Sequence, residues 1–98
     1  MVKYHLSNKA VEDLSGIWEY TADTWSQHQA DTYYSMLVSA CNKIAGNPQL
    51  YGINYEEVKK GLYGYRANKH IIFYQTLENG DILVIRILHQ RMDIRRHL

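Results

Sequence analysis

The sequence predicts an α+β domain of two layers, in which a helical hairpin packs on a small antiparallel sheet in the order β-α-α-β-β-β. Two observations predict these layers. Two long stretches carry apolar residues at three- and four-residue spacing, and the last third of the chain carries short apolar runs between turn residues. A chain of 98 residues has room for one core, so we expect residues 1–98 to form a single domain.

The first half of the chain predicts a short strand followed by two helices. Residues 2–6 have the pattern of a strand, and Ser7 is suited to cap a helix over residues 8–24. Residues 26–29 (Ser-Gln-His-Gln) match a capping box, so the second helix begins at once. It ends at residues 46–48 (Gly-Asn-Pro), where the glycine is expected at the C′ position. Helices joined by so short a link form an antiparallel hairpin.

The second half predicts a loop over residues 49–60 and three strands at 62–67, 70–77 and 82–89. Asn79-Gly80 between the last two strands is typical of a two-residue type I′ turn. Such a turn predicts three facing pairs: Tyr74 with Ile85, Ile72 with Ile87, and His70 with His89. One face would then carry Ile72, Tyr74, Leu83, Ile85 and Ile87, and the other Ile71, Phe73, Val84, Arg86 and Leu88. Because both faces are largely apolar, we expect the helices to cover one and a partner to bear on the other.

Charge is unevenly distributed along the chain, although the net charge of +1 does not by itself imply nucleic-acid binding. Residues 1–49 carry three lysines against five carboxylates, whereas residues 50–98 carry eight Lys/Arg against five. Half of those eight fall in the last thirteen residues, namely Arg86, Arg91, Arg95 and Arg96. A basic C-terminal segment of this kind suits an acidic partner.

The cysteine and histidine content predicts neither a disulfide nor a metal site. Cys41 is the only cysteine, so no internal disulfide is possible, and its apolar neighbours at helical spacing predict a buried, unreactive thiol. His70 and His89 are predicted to face each other, but a third metal ligand is lacking unless Asp93 supplies it, so no metal is expected. We expect no cofactor.

The absence of a signal peptide and of a membrane-length apolar run predicts a cytoplasmic protein without membrane contact.

Several motifs, taken with the predicted order of elements, resemble those of one protein family. Leu6-Ser7 leads into Ala10 and Asp13-Leu14, and the further motifs are residues 17–21 (Ile-Trp-Glu-Tyr-Thr), 45–48 (Ala-Gly-Asn-Pro), 60–62 (Lys-Gly-Leu), 70–74 (His-Ile-Ile-Phe-Tyr) and 86–93 (Arg-Ile-Leu-His-Gln-Arg-Met-Asp). In this order and spacing they resemble the ParE-type toxins of the RelE/ParE superfamily of bacterial toxin–antitoxin systems. The resemblance covers nearly the whole chain, and residues 86–93 are its most specific part.

The resemblance implies a non-enzymatic toxin with two protein partners. ParE-type toxins inhibit DNA gyrase by trapping it on cleaved DNA, which stops replication, and their systems are associated with plasmid stabilisation. The implied antitoxin is of the ParD type, a dimeric ribbon-helix-helix DNA-binding protein whose C-terminal tail folds onto the toxin. DNA would be reached only through the antitoxin or through gyrase.

Two alternatives remain open on sequence grounds. RelE-type members of the superfamily are ribosome-dependent mRNA endonucleases that use basic residues on the central strands. The two lysine positions of that branch fall at Leu62 and Gly64 and one arginine position at Ile71, while Arg91 is retained and the later tyrosine falls near His97. We therefore expect no catalytic residues. A non-toxic binding module of the same fold is the second alternative.

Two groups of residues are expected to bind these partners. The gyrase-binding candidates are Arg86, His89, Arg91, Asp93, Arg95 and Arg96, and the antitoxin-binding candidates are Leu14, Ile17, Trp18 and Tyr34. Structural roles compete with some of these assignments, since Arg86 could pair with Asp93 or a helix carboxylate and Asp93 could cap a C-terminal turn. Trp18 and Trp25 are expected in the core more readily than at an interface. We also expect the core to stand without residues 90–98.

Overall fold

Two long helices pack on one face of a five-stranded sheet in the computed structural model, which describes residues 3–98. The elements are β1 Tyr4–Leu6, α1 Asn8–Thr24, α2 Gln27–Gly46, α3 Pro48–Tyr51, β2 Ile53–Asn54, β3 Tyr63–Ala67, β4 His70–Thr76, β5 Ile82–His89 and α4 Ile94–His97. The predicted α+β class and the hairpin-on-sheet architecture are confirmed. Val2, predicted to begin the first strand, lies outside the described residues.

Side-chain caps determine where the two long helices begin. The Ser7 hydroxyl accepts from the Ala10 backbone N–H at 3.0 Å, and the Ser26 hydroxyl accepts from the Gln29 N–H at 3.0 Å. Both starts therefore fall where the sequence predicts them. The predicted C′ glycine is wrong, because Gly46 stays within α2 and has no positive φ. Asn47 instead ends α2 and caps α3, a short helix within the segment predicted as a loop.

The sheet is mixed rather than purely antiparallel, with strand order β1-β5-β4-β3-β2. β1 lies parallel to β5, with Tyr4 opposite Ile82 and Leu6 opposite Val84, whereas the other three pairings are antiparallel. The helical hairpin carries the chain from β1 to the opposite edge of the sheet, and β5 reaches β1 only after β2, β3 and β4, so this long connection permits parallel pairing. β2 is a two-residue strand that the sequence does not predict, and it closes the opposite edge.

The predicted type I′ turn between β4 and β5 is wrong. The Leu77 carbonyl accepts from the Gly80 N–H at 3.0 Å, and of the two predicted turn residues only Gly80 adopts a positive φ, of 92°. The loop therefore has three residues, 78–80. Tyr74 consequently faces Val84 and not Ile85. A bulge at the next step of the ladder restores the predicted register, so Ile72 faces Ile87 and His70 faces His89 as predicted.

The sheet carries a separate apolar cluster on each face. The helix-facing cluster joins the hairpin to the sheet through buried residues that include Leu14, Leu37, Ile44, Ile72, Tyr74, Ile82, Val84 and Ile87. Val84 thus lies on the face opposite to its prediction, because of the one-residue difference in the loop. The second cluster consists of Leu62, Phe73 and Leu88 and is covered by the chain's own Tyr55, Val58, Ile94 and Leu98. The second face therefore does not require a partner to cover it.

Two further expectations can be compared with the described residues. Cys41 is buried at 1% exposure, and burial raises the pKa of its thiol to about 11, which confirms an unreactive cysteine. Within residues 3–98, no helix is long and apolar enough to cross a bilayer.

Candidate functional site

The C-terminal tail, defined here as residues 90–98, folds back onto the sheet. Asp93 caps α4 by accepting from the Arg95 N–H at 3.2 Å, so the structural interpretation of Asp93 is confirmed. Ile94 and Leu98 pack against the second apolar cluster. The tail is therefore part of the fold, and the backbone that carries its polar side chains is packed against the sheet.

Three arginines, called here the tail arginines, stand out from this segment: Arg91, Arg95 and Arg96. All three are exposed, and within residues 3–98 only Arg96 has an ion-pair partner, Asp93, at 3.6 Å. Both members of that pair are more than half exposed, and such pairs contribute little. The tail arginines are thus available to an acidic surface.

Arg86 differs from the tail arginines because its guanidinium is already occupied. Its Nε and Nη2 donate to the two carboxylate oxygens of Asp13 in α1, each at 2.9 Å, and its Nη1 donates to the His97 carbonyl at 3.0 Å. The hydrogen bond to Asp13 raises the pKa of Arg86 further above its ordinary value. The competing structural interpretation of Arg86, a pairing with a helix carboxylate, is therefore confirmed, and the residue also bonds the end of the tail.

A groove of about 1140 Å3 runs between the helical hairpin and the ends of β4 and β5. Ile17, Tyr20 and Trp25 line it from α1 and its C-cap, and Met92 lines it from the tail. Tyr20 and Trp25 are 69% and 70% exposed, so the expected core location of Trp25 is wrong. Exposed aromatic side chains beside a concave surface are typical of protein-binding sites.

Four of the five histidines in the sequence line this groove: His28, His70, His89 and His97. The rings of His70 and His89 lie 5.3 Å apart edge to face, as their predicted pairing requires. The Tyr33 hydroxyl bonds His70 Nδ1 at 2.6 Å, and His89 Nδ1 accepts from the Arg91 N–H at 3.1 Å. Burial and the neighbouring His89 lower the pKa of His70 to about 4, so this ring is neutral at pH 7.

Folding stability is expected to fall as the pH drops from 6.5 towards 4, because the unfolded chain protonates His70 before the folded chain does. The Asp13 carboxylate opposes this shift but does not cancel it. Each pKa unit corresponds to about 1.4 kcal/mol, and partial solvent screening leaves an expected loss of roughly 1–2 kcal/mol. Urea unfolding across this pH range measures the loss, and His70→Asn should flatten the curve. Equal slopes in both proteins would contradict the prediction.

The four predicted antitoxin-binding residues do not form one surface. Leu14 is 4% exposed and belongs to the core, which corrects its assignment to an interface. Ile17 lines the groove, whereas Trp18 is half-buried and donates from Nε1 to Asp31 at 2.9 Å. Tyr34 is 42% exposed but does not line the groove. Helical periodicity identified one apolar stripe and could not separate its buried centre from its exposed rim.

The positions that the nuclease resemblance would require to be basic are apolar and packed. Leu62 is fully buried in the second cluster, and Ile71 packs against the same cluster. Gly64 is buried, and a Cβ there would lie 2.7 Å from Cε2 of Tyr55. Leu62 and Gly64 cannot be replaced by a charged residue without displacing the packing around them, and Ile71 is half-buried.

A model of the family described as "ParE toxin of type II toxin-antitoxin system, parDE" matches residues 4–94. The chain belongs to this ParE toxin family. Among curated relatives of this ParE-family toxin, Toxin ParE1 of Mycobacterium tuberculosis is 38% identical over 96 residues, covering 98% of this chain and 97% of the relative. Toxin ParE1 of Caulobacter vibrioides is 34% identical over 98 residues, covering 100% and 99%. Toxin ParE of Escherichia coli is 30% identical over 98 residues, covering 100% and 94%.

Solved structures show the same fold for ParE-family and related toxins. A chain of a chromosomal ParDE system from P. aeruginosa superposes with a TM-score of 0.78 at 15% identity, covering 91% of this ParE-family chain and 96% of the other. A chain of the RelBE2 toxin–antitoxin complex from Mycobacterium tuberculosis superposes with a TM-score of 0.64 at 14% identity, covering 91% and 98%. Both confirm the RelE/ParE fold.

Proposed function

We propose that this ParE-family toxin inhibits DNA gyrase without enzymatic activity, and that a ParD-type antitoxin neutralises it. The observation that carries the proposal is the apolar packing at Leu62, Gly64 and Ile71. Phosphodiester cleavage needs groups that stabilise charge on the phosphate and move a proton. This chain lacks the basic side chains of the nuclease branch at those three positions, and three of its four exposed arginines lie on the tail.

The tail arginines are the proposed contact with the gyrase–DNA complex. They are exposed, they project from a segment that the fold holds in place, and their combined charge suits an acidic surface. His89 contributes by receiving the Arg91 N–H, and Asp93 by capping the turn that carries Arg95 and Arg96. Of the predicted target residues, these two support the arginines rather than extend the contact surface.

The groove is the proposed binding site for the antitoxin. Its aromatic rim and its volume suit an extended or helical peptide segment with an apolar face. Glu12 and Asp13 line the groove, but Asp13 is paired with Arg86 and Lys69 also lines it, so apolar contacts rather than charge are expected to hold the antitoxin. The P. aeruginosa and M. tuberculosis neighbours are named as parts of toxin–antitoxin systems, which supports an antitoxin partner for this chain.

A supercoiling assay with purified gyrase tests the function. The wild-type protein is expected to inhibit supercoiling and to accumulate cleaved DNA, because the exposed cations act on the enzyme–DNA complex. Joint replacement of the tail arginines by alanine should raise the inhibitory concentration at least about tenfold, since each lost contact removes binding energy. Arg66→Ala, an exposed arginine outside the tail, is the matched control. Ribosome-dependent mRNA cleavage with supercoiling unaffected would overturn the assignment.

A further inference from the structure

We propose that Arg86 is a positioning residue, which together with Asp13 sets the orientation in which the tail presents its arginines to the target. This inference rests on the proposed function, in which the tail contacts gyrase. It assigns to Arg86 a role different from direct contact, and it assigns a role to Asp13, a residue of α1 that lies far from the tail in sequence.

The guanidinium of Arg86 joins three elements of the fold. Arg86 belongs to β5. Its guanidinium makes a two-point ion pair with Asp13 in α1, and its remaining terminal nitrogen, Nη1, donates a hydrogen bond to the carbonyl of His97 at the end of α4. All its side-chain nitrogens are therefore bonded within the protein, so none is left for a target. Arg86 can instead fix the position of α4 relative to α1 and β5.

Asp13 is itself held in place from a second direction. One of its carboxylate oxygens also accepts the Ile87 backbone N–H at 2.9 Å. This N–H belongs to the part of β5 beyond the last β1 pair, Leu6 with Val84, and lies on the edge of β5 that faces away from β4. Just before it, the Ser7 hydroxyl donates to the Ile85 carbonyl at 2.6 Å. Asp13 therefore fixes α1 to the strand edge, and both partners of its ion pair are only 14% exposed.

The hydrogen bond to the His97 carbonyl fixes the direction of α4, which the apolar contacts of the tail do not. Ile94 and Leu98 attach α4 to the second cluster, but such contacts are not directional and permit rotation of the helix. A hydrogen bond from a fixed guanidinium to a carbonyl in the last turn of α4 is directional, and it also satisfies an acceptor that a helix end leaves unpaired. Arg95 and Arg96 lie in the same turn, so their direction depends on this bond.

Lysine at position 86 separates positioning from charge. Lys keeps the cation and can pair with Asp13, but its single nitrogen cannot occupy the three positions from which the guanidinium nitrogens reach Asp13 twice and His97 once. Arg66→Lys is a matched control, because Arg66 also donates to a backbone carbonyl, that of Asn68 at 3.0 Å, but in a local turn. Gyrase inhibition and amide hydrogen exchange of residues 95–98 are measured in both variants. Urea unfolding of the same variants measures the stability of the core.

We expect Arg86→Lys to accelerate exchange in the tail about tenfold and to raise the inhibitory concentration about tenfold, whereas Arg66→Lys changes neither. Asp13→Asn should produce a weaker change in the same direction, because the amide oxygen retains one acceptor. Unchanged tail exchange in Arg86→Lys would overturn the inference, and lost inhibition with unchanged exchange would mean that Arg86 contacts the target directly. A wild-type protein without effect on gyrase would overturn the proposed function, while the exchange measurement would still test the positioning of the tail.

Discussion

Trp25→Ala is expected to weaken antitoxin binding about a hundredfold while the fold remains intact. The side chain is 70% exposed at the rim of the groove, so its removal leaves no cavity in the core. Large aromatic anchors carry a disproportionate share of binding energy when a partner covers them, and a loss of about 2.7 kcal/mol corresponds to this change in affinity. Calorimetric titration with the antitoxin's C-terminal segment measures the effect.

Tyr34→Ala is the matched control for this prediction, because Tyr34 is an exposed aromatic residue of the same hairpin that does not line the groove. Its removal should change affinity less than about threefold. In the wild-type protein, antitoxin docking should shift the fluorescence of Trp25 more than that of Trp18, whose indole is already bonded to Asp31. A silent Trp25→Ala beside a disruptive Tyr34→Ala would place the antitoxin on another face of the hairpin, and release by Arg91→Ala would place it on the tail.

Deletion of residues 90–98 is expected to lower the free energy of unfolding by about 2–4 kcal/mol. The deletion removes Ile94 and Leu98 from the second cluster and leaves Phe73 and Leu88, now 0% and 2% exposed, open to water. This prediction differs from the expectation, drawn from sequence, that the core stands without the tail, because Ile94 and Leu98 pack against the second cluster. For a domain of this size such a loss is a large share of its total stability.

Urea unfolding of the truncated and full-length proteins measures this loss. Joint Arg95→Gln and Arg96→Gln replacement is the control, because it removes charge from the tail and keeps Ile94 and Leu98 in place, so stability should change by less than about 0.5 kcal/mol. An unfolding midpoint in the truncated protein equal to that of the full-length chain would show that the tail contributes nothing to the core. Loss of toxicity on truncation therefore cannot by itself identify the tail as the effector.

The parts of the fold that sequence predicts well are those determined by local chemistry. Ser7 and Ser26 cap their helices through hydrogen bonds to the N–H three residues later, and Asp93 caps α4 through a hydrogen bond to the N–H two residues later. Each cap can therefore be predicted from a short stretch of sequence. The parallel pairing of β1 with β5 is not readable in this way, because hydrophobic periodicity does not identify a strand's partner. The loop at Gly80 and the bulge at Ile85 each shift the register by one residue, and together they cancel beyond Arg86.

The candidate site was predictable in its charges and not in its geometry. The sequence shows that arginines accumulate at the C-terminus, and the structure confirms that Arg91, Arg95 and Arg96 are exposed. It does not show that Arg86, only five residues before Arg91, is bonded to Asp13 in the first helix, since that contact depends on how α1 crosses the sheet. The groove is likewise assembled from distant segments, and no single stretch of sequence encodes it.

The pairing of β1 with β5 has a consequence for the synthesis of the toxin. Hydrogen bonds between these two segments span 78 residues, as in Lys3 with Asp81, so β1 cannot pair with the sheet until the ribosome has synthesised β5. Leu88 and His89 of β5 also line the groove, which therefore does not exist on the nascent chain before that moment. An antitoxin that binds in this groove, as proposed, can therefore capture a toxin molecule only after β5 has been synthesised and has joined the sheet.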